Sequence, residues 1–234
     1  YEGNFKLLDE VLLKMRNDSL KNMTSFSGLE HPYFSALTEY LIEKAAFLYK
    51  MRMKFIKKLN DNCERIFKDI SGKDKFHIKY ESTFILENMT IEEIKEILKK
   101  KFNEGKYQEY KLRTTIIGPH KDDISFWLDD KNLKKFGSQG QQRMAILSLK
   151  LSEISIFNGY CNSKPILLLD DVFSELDDMK KNNLLTYING DIQTIITTTE
   201  VNNIESGILE TAKLIEIKDG AIKSITEVRE EHGK

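Results

Sequence analysis

The sequence predicts an α/β fold in two parts, a mostly helical arm followed by a lobe in which helices cover a mostly parallel sheet. Two observations lead to this prediction. Before residue 110, apolar residues recur every three or four positions, as on one face of a helix. After Arg113, short apolar runs of strand type alternate with helical stretches, the order typical of a parallel sheet. The change of pattern predicts a helical domain over residues 1–110 and a second domain over 111–234.

The arm is predicted to contain one long helix that begins near Leu37 and ends at Ser71-Gly72. At about 1.5 Å per residue, roughly 34 residues give a helix of about 50 Å. The segment from Phe5 to Met15 is predicted to be a second, antiparallel helix that packs on the long one. The predicted buried face of the long helix consists of Leu41, Ala45, Leu48, Met51, Phe55, Leu59, Cys63, Ile66 and Ile70.

Two shorter elements complete the arm. Phe76, Ile78 and Tyr80 alternate with polar residues, which predicts a strand. Thr90 and Glu93 form the Thr-x-x-Glu pattern of a capping box, so a helix is predicted to begin there and to continue through Phe102.

Turn signals and apolar runs predict the elements of the second domain. Asp129–Asn132 and Asp219-Gly220 are predicted turns, the second of them between two closing strands. The other predicted strands are Thr114–Gly118, Ile124–Leu128, Ile166–Leu169 and Thr194–Thr198, and the predicted helices are Gln139–Phe157 and Met179–Ile188.

Composition excludes several classes of protein. With 40% hydrophobic and 31% charged residues, the chain has the composition of an ordinary globular protein. It contains no run of 18 apolar residues and no signal-type start, so neither a membrane span nor export is predicted. The two cysteines and four histidines show no metal-binding or redox spacing. A reduced cytoplasmic location is therefore expected, and the net charge of −1 does not by itself indicate a nucleic-acid partner.

The stretch FGSQGQQR, residues 136–143, stands directly before a predicted helix. A loop of small residues that leads into a helix presents backbone N–H groups and the positive end of the helix dipole to an anion. The stretch therefore indicates a phosphate site. The alternative is that Ser138 only caps the helix, and one geometry can serve both purposes.

The stretch PILLLDDVFSELD, residues 165–177, indicates a buried strand that carries two acids at its carboxyl end. Ligands of α/β sheets bind at that end of the strands. In a phosphate-binding ATPase, Asp170 would hold Mg²⁺ through a water and Asp171 would orient or deprotonate the attacking water. The alternative is a plain core strand, followed by a helix that Asp177 caps.

Four motifs, in the same order and spacing, resemble the RecF family of ATP-binding-cassette ATPases. GSQGQQR at 137–143 resembles the family's signature motif, and LLLDDVFSELD at 167–177 resembles its Walker B motif and D-loop. IIGPHKDD at 116–123 and IITTTE at 195–200 also look like RecF segments. The helical first half is similar too, so the resemblance covers nearly the whole chain.

The resemblance implies an ATP-dependent DNA repair, recombination and replication protein of the response to DNA damage, including the SOS response. RecF-like proteins dimerise on ATP, recognise DNA at single-strand gaps and, with RecO and RecR, help to load RecA. It also implies a role for named residues. Asp171 would be catalytic and Asp170 would bind Mg²⁺. The residues that would face the ATP of the opposite subunit are Ser138, Gln139, Gly140, Gln141 and Arg143. The D-loop would consist of Ser174, Glu175 and Asp177, and the switch region of Thr197, Thr198 and Thr199.

One motif of the family is missing. No GxxxxGK[ST] phosphate loop occurs in these 234 residues, and SGKDK at 71–75 lacks most of the pattern. Because RecF carries its Walker A motif before the arm, and because the first residue is Tyr1, the chain is expected to be a carboxyl-terminal portion of such a protein. Without that loop it is not expected to hold ATP tightly or to hydrolyse it. Asp171, where most cassette ATPases have glutamate, agrees with the RecF pattern.

The sequence signal for DNA binding is weaker. Lys50, Lys54, Lys57 and Lys58 fall on one face of the long helix, where they would attract phosphates or simply be solvated. His120 and Lys121 lie in a predicted turn and could contact phosphate or only shape that turn.

Two other functions remain open at this level. The chain could be a stand-alone interaction module for DNA or protein that kept the fold and lost ATP chemistry. It could also derive from an SMC or RecN-type ATPase, although the arm of about 110 residues is short for the long coiled coils of those proteins. No membrane partner is expected.

Overall fold

The structure is a computed structural model. It describes residues 11–72, 75–85, 88–158, 165–188, 192–199, 201, 209 and 212–226. Within these ranges helices and strands are both present, and the α/β prediction is confirmed. No described helix combines the length and the apolar character that a membrane crossing requires.

The described residues form two compact units. The first comprises the residues up to Asp61 together with Ile78–Trp127, and the second comprises Asn62–His77 together with the residues from Leu128 onward. The boundaries of these units differ from those of the predicted domains 1–110 and 111–234. The predicted domain organisation therefore stays a prediction.

The first unit is mainly helical. It contains α1 (Lys14–Asn22), a short 3₁₀ helix (Phe26–Glu30), most of α2 (Pro32–Ser71), and α3 (Ile91–Leu112). The long predicted helix is thus confirmed and begins five residues earlier, at Pro32. The predicted helix from Phe5 to Met15 lies mostly outside the described residues.

The core of the first unit lies between these helices and includes Leu41, Ala45, Leu48, Ile94 and Leu98. Two residues of the predicted buried face behave differently: Phe55 is 43% exposed and Met51 is half-buried, while Met53 and Ile56 are buried. The departure is local, because Leu59, Cys63 and Ile66 further along the predicted face are buried.

The capping box is confirmed. The Thr90 hydroxyl accepts a hydrogen bond from the Glu93 backbone N–H at 3.2 Å, and the Glu93 carboxylate accepts one from the Thr90 backbone N–H at 2.7 Å. These reciprocal bonds fix the first turn of α3.

The predicted strand Thr114–Gly118 is wrong, because this segment is irregular. Its backbone N–H groups are bonded by side chains instead of by a neighbouring strand. The N–H of Thr115 donates to Asn17 Oδ1 at 2.7 Å, and the N–H of Ile116 donates to Glu109 Oε1 at 2.9 Å. The same bonds explain why residues 111–127 belong to the helical unit.

A three-stranded sheet of order β1-β2-β3 contains the predicted strands Phe76–Glu81 (β1) and Asp123–Leu128 (β2), and the short β3 (Lys131–Asn132). The predicted turn Asp129–Asn132 is confirmed for residues 129–130, where Asp129 has a φ of 51° in the left-handed region, and is wrong for Lys131–Asn132, which form β3.

The second unit carries the remaining elements. They are α4 (Leu133–Phe136), α5 (Gln139–Asn158), β4 (Leu167–Asp170), a 3₁₀ helix (Val172–Glu175), α6 (Asp178–Ile188), β5 (Thr194–Thr197), β6 (Leu214–Lys218) and β7 (Ala221–Thr226). Strands β4 and β5 pair in parallel from Leu167↔Thr194 to Asp170↔Thr197. Strands β6 and β7 are antiparallel, joined by Asp219-Gly220 with φ of 53° and 77°, as a tight two-residue turn requires.

The core of the second unit explains why residues 62–77 belong to it. The rings of Phe67 and Phe76 stack with centroids 4.8 Å apart. Cys63 is fully buried, and its Sγ donates to the Ser148 carbonyl at 3.6 Å. Burial raises the pKa of the Cys63 thiol to about 11, so this cysteine is an inert core residue.

Candidate functional site

The loop before α5 is closed by a single helical turn. Asn132 Oδ1 accepts from the Lys135 backbone N–H at 3.3 Å and caps α4, and the Gly137 N–H donates to the Leu133 carbonyl at 2.9 Å. A Cβ on Gly137 would lie 2.7 Å from that carbonyl oxygen. Glycine is therefore required where the chain turns from α4 into α5.

Ser138 is the N-cap of α5. Its hydroxyl accepts from the Gln141 N–H at 3.3 Å, and its own N–H donates to Gln141 Oε1 at 2.9 Å, which makes a second reciprocal capping pair. Ser138 and Gln139 are exposed, and Gly140 and Gln141 are half-buried. The capping interpretation of Ser138 is thus confirmed, and the exposed cap stands at the positive end of the helix dipole.

The sequence analysis did not single out Gln142. Its Nε2 donates to the carbonyls of Leu133 and Gly137, both at 3.1 Å. Gln142 therefore ties the loop before Ser138 to the first turn of α5. The sequence shows two adjacent glutamines, Gln141 and Gln142, but does not indicate which of their side chains points toward the loop.

The predicted acids lie at the carboxyl end of β4, where β5 holds them. Thr197 Oγ1 hydrogen-bonds to Asp170 Oδ1. The Asp171 N–H points to Thr197 as well, at 3.1 Å from the carbonyl and 3.1 Å from the hydroxyl. Both aspartates are exposed, and Asp171 has a φ of 47°, in the left-handed region that non-glycine residues rarely adopt.

The chain after Asp171 is fixed by local hydrogen bonds. Ser174 Oγ donates to the Asp171 carbonyl at 2.9 Å. Asp177 caps α6, because its Oδ1 accepts from the Lys180 backbone N–H at 2.9 Å and its Oδ2 lies 2.5 Å from Lys180 Nζ. The hydrogen bond from the Lys180 side chain, followed by the one from its backbone, holds the pKa of Asp177 below its usual value.

The other predicted residues of this region have less defined places. Thr198 is half-buried and Thr199 exposed, directly after β5. Glu175 lies in the 3₁₀ helix after β4, and its side chain is outside the description.

Arg143 and Asp170 line the same cavity, of about 520 Å³, between α5 and β4. The rest of its lining is mainly apolar and includes Ile146, Ile166 and Leu168, which are 57%, 56% and 70% exposed. The structure thus brings Arg143, which follows the first turn of α5, and the end of β4 to one groove.

The residues at the end of β4 suit a magnesium ion. Mg²⁺ prefers oxygen ligands and is commonly held by one or two carboxylates plus substrate phosphates. Asp170 and Asp171 supply carboxylate oxygens, and Thr197 supplies a hydroxyl already directed at Asp170. The described part of the chain contains no group of three or more His, Cys, Asp or Glu side chains that could hold a metal without such phosphates.

The predicted DNA-binding lysines lie in the first unit. Lys54, Lys57 and Lys58 are exposed on α2. Lys50 is half-buried, and its Nζ donates to the Met89 carbonyl at 2.9 Å. Lys50 is thus engaged by its own unit, and the role of all four lysines in DNA binding stays a prediction.

His120 and Lys121 lie in a turn that the structure fixes at both ends. The Lys121 N–H donates to the Gly118 carbonyl at 3.0 Å, and His120 Nε2 is 3.2 Å from the Thr115 carbonyl. Arg52 also donates to the Pro119 carbonyl. The structural role of this turn is confirmed, and the phosphate role of its side chains stays a prediction.

Comparison with known proteins gives one consistent answer. The chain is 41% identical over 215 residues to the DNA replication and repair protein RecF of Bacillus cereus (strain B4264), and this match covers 91% of the chain and 57% of the relative. It is 40% identical, with the same coverage, to RecF of Bacillus mycoides (strain KBAB4). No family model matches the chain.

The solved structures agree with the curated relatives. The recombination mediator protein RecF bound to ATP superposes with a TM-score of 0.77 and 29% identity, covering 97% of this chain and 58% of that one. Another structure of the recombination mediator protein RecF, in the ATPrS form, gives a TM-score of 0.74 at the same identity, covering 95% and 58%. The resemblance to RecF that the motifs indicate is therefore confirmed, while the chain spans a little over half the length of these relatives.

Proposed function

We propose that this chain supplies the signature motif and the Walker B half of a RecF-type DNA repair and replication protein, because it resembles RecF along nine-tenths of its length. The observation that carries the proposal is the end of β4. Two exposed carboxylates stand there in a fixed backbone conformation, and the first of them is bonded by Thr197 of the neighbouring strand. Such a pair at the carboxyl end of a parallel strand is placed for phosphate chemistry.

In this proposal Asp170 would hold Mg²⁺, and the ion, when bound, would neutralise charge on the phosphates of ATP. Asp171 accepts a proton from, or orients, the water that attacks the γ-phosphate. The positive φ of Asp171 and the hydrogen bonds from its N–H to Thr197 fix the backbone from which that carboxylate projects. Thr197, Thr198 and Thr199 follow as the switch region, and Ser174, Glu175 and Asp177 as the D-loop.

The N-cap of α5 has the second role in this proposal, which is to contact the ATP bound by an opposite subunit. The γ-phosphate would be contacted by the Ser138 hydroxyl and by the N–H groups of the first turn, and the positive end of the helix dipole would attract it. Gln139, Gly140, Gln141 and Arg143 would line the same surface. Because Gln142 ties the preceding loop down, this surface would need little rearrangement before the phosphate arrives.

The whole protein would then act as an ATP-dependent homodimer in the cytoplasm. It would recognise DNA at single-strand gaps, and it would assist the loading of RecA together with RecO and RecR. These are proposals for the longer protein, supported by the RecF resemblance. The relative solved with ATP supports ATP as the nucleotide.

By itself the chain should bind ATP weakly. Its sequence has no phosphate loop, whose backbone N–H groups and lysine supply most phosphate contacts. Calorimetric titration should give no saturable binding at micromolar ATP. A micromolar dissociation constant would contradict this assignment of the motifs.

The trans role of Ser138 can be tested with Ser138→Arg in the full-length protein. The fold should survive, because loss of an N-cap costs about 1 kcal/mol out of a total of roughly 5–15 kcal/mol. ATP-dependent dimerisation should fail, since the new side chain would fill the space meant for the phosphate. Size-exclusion chromatography with and without ATP measures the result.

The matched control is Ser155→Arg, at an exposed position of the same helix far from its N-terminus. This variant should dimerise as the unmodified protein does. Normal dimerisation of Ser138→Arg would mean that the FGSQGQQR stretch is only a turn and a cap.

A further inference from the structure

We infer that the first unit contains a binding pocket for the phosphates of a nucleic-acid backbone, formed by α1 and by the segment that joins α3 to β2. The pocket has a volume of about 390 Å³. Its polar lining comes from Lys14, Asn17 and Lys21 of α1 and from Thr114, His120 and Lys121 of the joining segment. The inference rests on the proposed DNA-binding function and gives that function a location.

The charge of the pocket favours an anion. Three exposed lysines, Lys14, Lys21 and Lys121, stand around it. The acid in the lining is Asp18, whose Oδ1 is 3.6 Å from Lys21 Nζ, and the two side chains are 52% and 64% exposed. An ion pair this open to water contributes little, so a phosphate can compete with Asp18 for Lys21.

The floor of the pocket is built from bonded polar groups. Thr115 is 1% exposed, and both its backbone N–H and its hydroxyl donate to Asn17 Oδ1 at 2.7 Å. Arg16 Nη1 in turn donates to the Thr115 hydroxyl at 2.7 Å. Because the oxygen of Asn17 is used by Thr115, the polar group that Asn17 adds to the lining is its NH₂, a donor suited to a phosphate oxygen.

The turn that carries His120 and Lys121 is held before any ligand arrives. Arg52 donates to the Pro119 carbonyl, and the Tyr80 hydroxyl donates to Asp122 Oδ2 at 2.7 Å. Gly118 has a φ of 137°, which L side chains rarely adopt. A fixed turn reduces the ordering cost of binding, so Lys121 is presented at low entropic cost.

The lining distinguishes a backbone phosphate from a whole nucleotide. Among the described residues of the lining, Leu13 is the one apolar side chain, and the one ring is the His120 imidazole, whose Nε2 lies 3.2 Å from the Thr115 carbonyl. A lining of cations and amide donors with no Phe, Tyr or Trp ring suits the contacts that proteins make to phosphate and sugar. Binding should therefore be independent of sequence and strongly dependent on salt.

The test measures the affinity of the full-length protein, with ATP present, for a fluorescently labelled duplex of about 20 base pairs, by anisotropy, between about 50 and 200 mM salt. The pocket variant is Lys14→Gln with Lys121→Gln. The control variant is Lys99→Gln with Lys100→Gln, two exposed lysines on α3 that pair with Glu96 and Glu104. Both variants lose the same charge, and circular dichroism checks that both fold.

In the pocket variant, the slope of log affinity against log salt should become shallower by about 2, because each lost phosphate contact reduces the slope by about 0.9. The control should keep the slope of the unmodified chain. Equal losses in both variants, or no loss in the pocket variant, would contradict the pocket while leaving DNA binding elsewhere in the protein intact.

Two further results would also overturn the inference. The first is an unmodified full-length protein that binds no DNA with ATP present. The nucleotide role of Ser138 would then be judged by its own dimerisation test. The second is a pocket variant that loses affinity for ATP instead of DNA, which would make a free nucleotide the ligand.

Discussion

The two compact units use charged side chains in opposite ways. In the first unit Arg16 and Glu109 are 2% and 0% exposed and form an ion pair of 2.6 Å. In the second unit Asp170 and Asp171 stand exposed at the end of a strand. The first pair is closed off from water and ligands, whereas the second is open to both.

The buried pair is satisfied on every side that the structure describes. Arg16 also donates to Thr38 at 3.1 Å and to Thr115 at 2.7 Å, and its guanidinium lies 4.7 Å and 4.8 Å from the ring centroids of Phe34 and Phe102. Buried charges are tolerated only when they are paired and hydrogen-bonded. From this comparison, full satisfaction marks a structural charge, and we propose that the open carboxylates at the strand end serve chemistry.

The largest expected loss of stability follows from Glu109→Ala. This variant leaves the Arg16 guanidinium buried without its carboxylate, which costs about 3–5 kcal/mol. It also removes the acceptor of the Ile116 backbone N–H. The free energy of unfolding from urea denaturation measures the effect.

Glu104→Ala on the same helix is the matched control. Glu104 is 47% exposed and pairs with Lys101 at 2.8 Å, so its loss should change the unfolding free energy far less than Glu109→Ala does. Equal effects of the two substitutions would remove the distinction between a structural and a surface charge.

The elements that the sequence predicted well have local causes. The capping box of Thr90 and Glu93, the cap at Ser138 and the turn at Asp219-Gly220 each depend on a few neighbouring residues. The strand that ends at Asp170 was predicted from its own apolar run. Such features can be predicted because the bonds that define them join residues close in sequence.

The features that the sequence could not predict depend on distant partners. Thr114–Gly118 has the composition of a strand, but Asn17, about 98 positions away, takes the Thr115 N–H. Arg16 has no sequence signal as a core residue, because its partners Thr38 and Glu109 come from other helices. The hydrogen bond from Lys50 to the Met89 carbonyl, 39 positions away, could not be predicted either.

A smaller effect is expected from Asp177→Ala, which removes the N-cap of α6 and should cost about 1 kcal/mol at neutral pH. The pKa of Asp177 is lowered in the folded chain, so its contribution is present above the ordinary value of about 3.9 and is lost as the pH falls through the lowered folded value. Denaturation at pH 7 and near pH 3 measures the difference between variant and unmodified chain, which should shrink at the lower pH.

Asp177→Asn is the control, because asparagine keeps a capping oxygen and loses the charge. It should be less destabilising than alanine at neutral pH. A difference between Asp177→Ala and the unmodified chain that stayed constant down to pH 3 would contradict the role of the ionised cap.

The most direct test of the contrast between the units is Asp171→Asn in the full-length protein, with ATP turnover and unfolding free energy measured on the same preparation. The account predicts that turnover falls by about 10²–10⁴-fold, the usual contribution of a general base. The unfolding free energy and ATP-dependent dimerisation should stay unchanged, because the exposed carboxylate supports neither. Unchanged turnover, or a loss of stability as large as that of Glu109→Ala, would contradict the claim that the end of β4 is a site of chemistry.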